Sequence, residues 1–87
     1  LSMLTGMQVR AARHALKWTF EQLSNESSVS LRTLKSVEKF DGIPNCRTAT
    51  LEKIRKAFEA AGIEFTGTPE NLPGVRMNLA KKNAATS

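Results

Sequence analysis

Apolar residues in this chain recur at three- and four-residue spacing, but only in short runs, and each run is cut by a polar capping residue or a breaker. That punctuation admits several short helices and excludes a long one, and short helices hide their apolar faces only by packing around a shared centre. In the first run Val9, Ala12 and Leu16 fall on one face while Arg10, Arg13 and Lys17 fall elsewhere, with Thr5 placed to cap the start and Trp18 closing the segment. Thr19 followed by Gln22 carries the capping-box signal for a second helix, Phe20 to about Glu26, built around Leu23. Asn25, Ser27 and Ser28 favour a turn, and Ser30 caps a third helix from Leu31 to about Lys39, with Leu34 and Val37 inward. The run Asp41-Gly42-Ile43-Pro44-Asn45 is a loop. A fourth helix starts at Thr48 or Thr50, buries Leu51, Ile54, Ala57 and Phe58, and stops at Gly62.

Beyond Gly62 the period changes from helical to alternating. Ile63-Glu64-Phe65-Thr66 and Val75-Arg76-Met77-Asn78 read as two strands, and Gly67, Pro69, Pro73 and Gly74 between them imply a hairpin with a long loop. Such a hairpin is marginal alone, so it must pack on the helices or pair with a strand of another chain. The expected class is all-α, four short helices followed by a small β-hairpin. The expected divisions are 1–4 as a flexible N-terminus or added remnant (Met3 or Met7 being the native start), 5–62 as the helical domain, 63–79 as the hairpin and candidate dimer contact, and 80–87 as a disordered tail.

Charge narrows the partner. Thirteen Lys and Arg against eight Asp and Glu give +5. From Ala57 onward three cations balance three anions, so the whole excess lies in the first 56 residues, ten against five. A basic domain of this kind suits a polyanion, although a solvated basic surface would share the same balance. No run approaches the ~20 apolar residues of a membrane span, one cysteine staples nothing, and no leader is expected. A soluble cytoplasmic protein is expected. One histidine, His14, and one cysteine, Cys46, cannot assemble a four-ligand zinc site, and no placed catalytic acid accompanies the histidine. No enzyme activity, cofactor, metal or membrane contact is expected. The low aromatic content, without tyrosine, argues against a stacking platform for single strands and leaves Trp18 to the core.

Two short helices around a tight turn match the helix-turn-helix that reads duplex DNA, the second helix entering the major groove by its N-terminal residues. A three-helix bundle with a basic face is the alternative reading. Candidate base contacts are Ser30, Leu31, Arg32, Lys35 and Ser36. Arg32 can offer two N–H groups to guanine O6 and N7, and Leu31 can meet a thymine methyl. Candidate phosphate contacts are Thr19, Lys39, Asn45, Arg47 and Thr48, groups that hold register without reading sequence. Lys53, Arg55 and Lys56 read as a solvated face.

The run from Val9 to Phe65 resembles the Cro/phage-repressor type of helix-turn-helix, the xenobiotic-response-element-like bacterial regulators. The likeness is carried by Val9-Arg10-Ala11-Ala12-Arg13, Trp18-Thr19-Phe20-Glu21-Gln22-Leu23 and Val29 through Glu38. Asp41 to Asn45, Arg47 to Leu51 and Phe58 to Phe65 extend it. The resemblance implies a compact four- to five-helix lambda-repressor-like DNA-binding domain and a transcriptional regulator, expected to be a repressor. It also implies an ion pair between Arg13 and Glu38. The chain departs from the family pattern at Phe20, where a phosphate-contacting glutamine is usual, at Ser24 for alanine, and at Ser28 for the turn glycine.

One such domain makes few base contacts, so a homodimer on half-sites of double-stranded DNA is expected, joined through the hairpin around Phe65 and Val75 or the exposed side of helix four. The competing reading is a protein-interaction module, such as an antitoxin-like subunit, that binds a partner protein through its charge-balanced C-terminal third.

Overall fold

A computed structural model describes residues 4–44, 46–68 and 71–77. Four helices, α1 (Gly6–Ala15), α2 (Phe20–Ser27), α3 (Leu31–Glu38) and α4 (Thr48–Ala60), precede an antiparallel pair, β1 (Ile63–Thr68) and β2 (Asn71–Met77). The expected four helices and hairpin are present. The expected tail at 80–87 lies outside the described residues.

The first three helix starts are fixed by side-chain caps. At α1 the Gln8 amide N–H donates to Thr5 Oγ1 at 3.1 Å, and the Thr5 N–H donates to Gln8 Oε1 at 3.0 Å. This is a reciprocal capping box, of which only the Thr5 half is anticipated above. Thr19 and Gln22 form the second box as expected. Ser30 Oγ accepts from the Thr33 N–H at 3.3 Å. α4 starts at Thr48, the first of the two expected positions, but its cap is Arg47, whose side chain makes no capping bond.

The helix ends explain themselves less readily from the sequence. Trp18 closes the first segment, but α1 stops at Ala15 because Lys17 turns left-handed, with φ 57°. The Trp18 N–H then donates to Arg13 O at 2.9 Å and the Lys17 N–H to His14 O at 3.0 Å, which satisfies the last carbonyls in a Schellman pattern. Ser28 also adopts φ 61° between α2 and α3. Two hydroxyls hold this turn: Ser24 Oγ donates to Val29 O at 2.6 Å and Ser27 Oγ to Leu23 O at 2.7 Å. Gly62, with φ 97°, ends the helical part.

Phe58, Leu23, Leu34, Ile54, Ile63, Val9 and Val37 form the centre of the core, and Trp18 stacks on Phe58 at 5.6 Å between centroids. Leu4 corrects the expected N-terminal boundary, since it is only 1% exposed and belongs to this core. Next to it the α1 backbone closes on the end of α3. The Gly6 N–H donates to Gly42 O at 2.9 Å, and a Cβ on Gly6 would run into the carbonyl oxygens of Phe40 and Val37. Glycine is there for lack of room rather than for flexibility.

The hairpin corrects a second expectation. Its strands reach further than the alternating residues, to Thr68 and from Asn71, so the loop is short. Ile63 pairs with Met77, Phe65 with Val75 and Thr66 with Gly74, and an irregularity between Thr66 and Thr68, where Gly67 has φ 73°, lets the strands continue. Asn78 lies outside the described residues. Gln8 Nε2 donates to both carbonyls of one rung, Thr66 O at 3.2 Å and Gly74 O at 2.9 Å, which fastens the hairpin to α1.

Candidate nucleic-acid interface

The residues singled out on α3 divide into inward and outward sets as helical spacing requires. Leu34 and Val37 are buried, while Arg32, Lys35, Ser36 and Lys39 are exposed and Leu31 is 38% exposed. Ser30 is exposed, but its hydroxyl caps the helix and donates to Thr33 Oγ1 at 2.9 Å. Thr19 Oγ1 is occupied in the same way by the Gln22 N–H at 3.1 Å. Both hydroxyls are thus committed to helix starts before any ligand arrives. Arg47 and Thr48 are exposed at the beginning of α4, and Asn45 lies outside the described residues.

α3 and the start of α4 flank a cleft of about 390 Å³. Arg32 and Ser36 line it from α3, Arg47 and Thr50 from the other side, with Val37 and Pro44 also in contact. A residue expected at bases, Arg32, and one expected at phosphate, Arg47, therefore share one opening. Cys46 borders it too, and partial burial pushes its thiol above the usual value, so it stays neutral near pH 7.

Behind the exposed face an arginine network fixes the attitude of α3. Arg13 Nε donates to Glu38 Oε2 at 2.7 Å and Arg13 Nη2 to Glu38 Oε1 at 3.1 Å, and Arg13 Nη1 donates to Trp18 O at 3.0 Å. The two side chains are 13% and 5% exposed, so this two-point pair is largely out of water. Arg10 was missed by the sequence reading. Its Nη1 donates to Glu38 O at 2.7 Å and its Nη2 to Asp41 Oδ1 at 2.7 Å, covering a carbonyl left open at the end of α3. The signal available was its position three residues before Arg13, which puts both arginines on neighbouring parts of α1.

The ion pairs also sort the charge. Arg10, Arg13, Arg55 and Arg76 are each matched to a carboxylate, at Asp41, Glu38, Glu52 with Glu59, and Glu64. The hydrogen bond that Arg55 donates to Glu52 pushes the guanidinium further above its ordinary value, so Arg55 belongs to a network along α4 rather than to a free solvated face. Arg32 and Arg47 carry no such partner among the described residues, and Lys53 and Lys56 are exposed. His14 is exposed on α1. No described helix is long and apolar enough to cross a membrane. Set against protein-family models, curated proteins and solved structures, the chain has no significant match in any of the three.

Proposed function

We propose that the chain binds double-stranded DNA sequence-specifically as a lambda-repressor-like bacterial transcriptional regulator, acting as a repressor at a promoter in the cytoplasm. The observation that carries this reading is the charge sorting around α3. The arginines behind it are neutralised by carboxylates, whereas Arg32, Lys35 and Lys39 remain on its exposed face and Arg47 faces the same cleft. In this reading Arg32, Lys35, Ser36 and Leu31 meet base edges, and Arg47, Thr48 and Lys39 meet the sugar-phosphate backbone. Ser30 and Thr19 serve mainly as caps. Two copies, joined through the hairpin, would address two half-sites about one helical turn apart.

Fluorescence anisotropy on the duplex upstream of the chain's own gene, competed with random duplex across a salt series, tests the proposal. The native chain is expected to bind the specific duplex at least ~10³-fold more tightly, with log affinity falling linearly as log salt rises. Absence of duplex binding at low salt would overturn it. Capture of a partner that protects residues 63–80 from proteolysis would then favour the protein-interaction reading.

A further inference from the structure

Phe20 opens α2 half-buried against the core, and two cations approach its ring. The Arg13 guanidinium carbon stands 4.1 Å from the ring centroid, and the Lys35 ammonium 5.9 Å. Arg13 is already held by Glu38 and by the Trp18 carbonyl, so its position does not depend on the ring. Lys35 is different. It is exposed on α3, has no carboxylate partner among the described residues, and ends a flexible four-carbon stem. The negative ring face favours one direction for its ammonium, because a cation within about 6 Å of a ring centroid is attracted by the quadrupole.

From this geometry we infer that Phe20 is a positioning residue for Lys35: the ring draws the ammonium toward the start of α2 and makes Lys35 a contact to phosphate rather than to a base edge. The inference rests on the duplex-binding reading and revises the place of Lys35 within it. Arg13 contributes indirectly, since its guanidinium and the core fix the ring that Lys35 meets. A lysine aimed toward the start of α2 behaves as a point charge for the backbone passing there, and leaves base reading to Arg32 and Ser36 farther round α3.

Two readouts test this. The first needs no DNA: in NMR spectra of the native chain the Lys35 Hε protons should be shifted upfield relative to those of Lys53, through the ring current of Phe20. The shift should persist in Phe20→Tyr, which keeps the ring, and vanish in Phe20→Leu, which keeps apolar bulk. Unshifted Lys35 protons in the native chain would overturn the inference without any variant. The second readout is binding. Lys35→Ala is expected to weaken every duplex alike and flatten the salt slope by about one unit. Phe20→Leu is expected to cost about two- to five-fold in affinity, a loss that Phe20→Tyr restores and that is absent when Lys35 is already alanine. Relaxed discrimination at one base pair in Lys35→Ala, with an unchanged salt slope, would overturn the phosphate role. A ring shift present in a native chain that binds no duplex would overturn the DNA reading, and the phosphate role with it, while leaving the Phe20–Lys35 contact in place.

Discussion

At the scale of single residues, side chains with similar chemistry divide according to what already holds them. Arg13 and Arg32 are both arginines of the helical half, yet one is locked into a carboxylate and the other is exposed with no carboxylate partner among the described residues. Arg32→Ala is therefore expected to cost about 1–3 kcal/mol in binding and to relax discrimination at one base position, whereas Arg47→Ala should weaken all duplexes similarly and lower the salt slope by about one. Anisotropy with single-base-pair variants of the operator separates the two effects. The spacing of α3 was enough to show which of its residues face outward, because burial follows the helical period directly. It could not show that the Ser30 and Thr19 hydroxyls are used up by backbone N–H groups, although the caps themselves were readable from residue type. Ser28 shows the same limit from the other side. A serine at positive φ is disfavoured by roughly 1–2 kcal/mol, and the hydroxyls of Ser24 and Ser27 that fasten the turn become visible only once the backbone is in place.

At the scale of elements, α3 is held at its far end by α1. The two-point Arg13–Glu38 contact sits beside Arg10, which takes the Glu38 carbonyl and Asp41. Removing one partner of a pair this deeply covered leaves an uncompensated charge. Glu38→Ala is expected to cost about 3 kcal/mol of stability, while replacing both Arg13 and Glu38 by apolar residues of similar size should cost clearly less than the two single changes together. Urea unfolding of the four proteins in the cycle measures this, and additive losses would show that the pair is not coupled. The helices themselves were open to sequence reasoning because their determinants lie three or four residues apart. The hairpin was open only in part: alternation announced its two strands, but their limits depend on an irregularity at Thr66–Thr68 that no alternation of apolar residues reveals. Leu4 escaped notice for a related reason: one apolar residue ahead of a cap has no period to reveal it, and only the packing of α1 against its neighbours buries it.

For the molecule as a whole, the matched arginines leave the remaining positive charge among the described residues on α3 and its end, around the start of α4, on the exposed lysines of α4 and on Lys17. Such a field would speed encounter with a polyanion at low salt and be screened over a Debye length of about 8 Å at physiological ionic strength. The hairpin stretch adds no positive charge to that field, because Glu64 pairs with Arg76 and Glu70 lies in the same segment of the sequence.

Gln8 joins two parts of the molecule that are distant along the chain. One carboxamide closes the first turn of α1 with its oxygen and holds both strands of the hairpin with its nitrogen. Fraying of α1 and lifting of the hairpin are therefore expected to be coupled, since each breaks bonds to the same side chain. In native-state hydrogen exchange the amides of the first turn of α1 and those of the paired strands should exchange as one cooperative unit, with one opening free energy and one dependence on denaturant. Gln8→Ala should split that unit in two. Anything that clasped the hairpin, a second copy of the chain included, would then be felt at the beginning of α1, and from there through the Gly6–Gly42 contact at the loop that leaves α3.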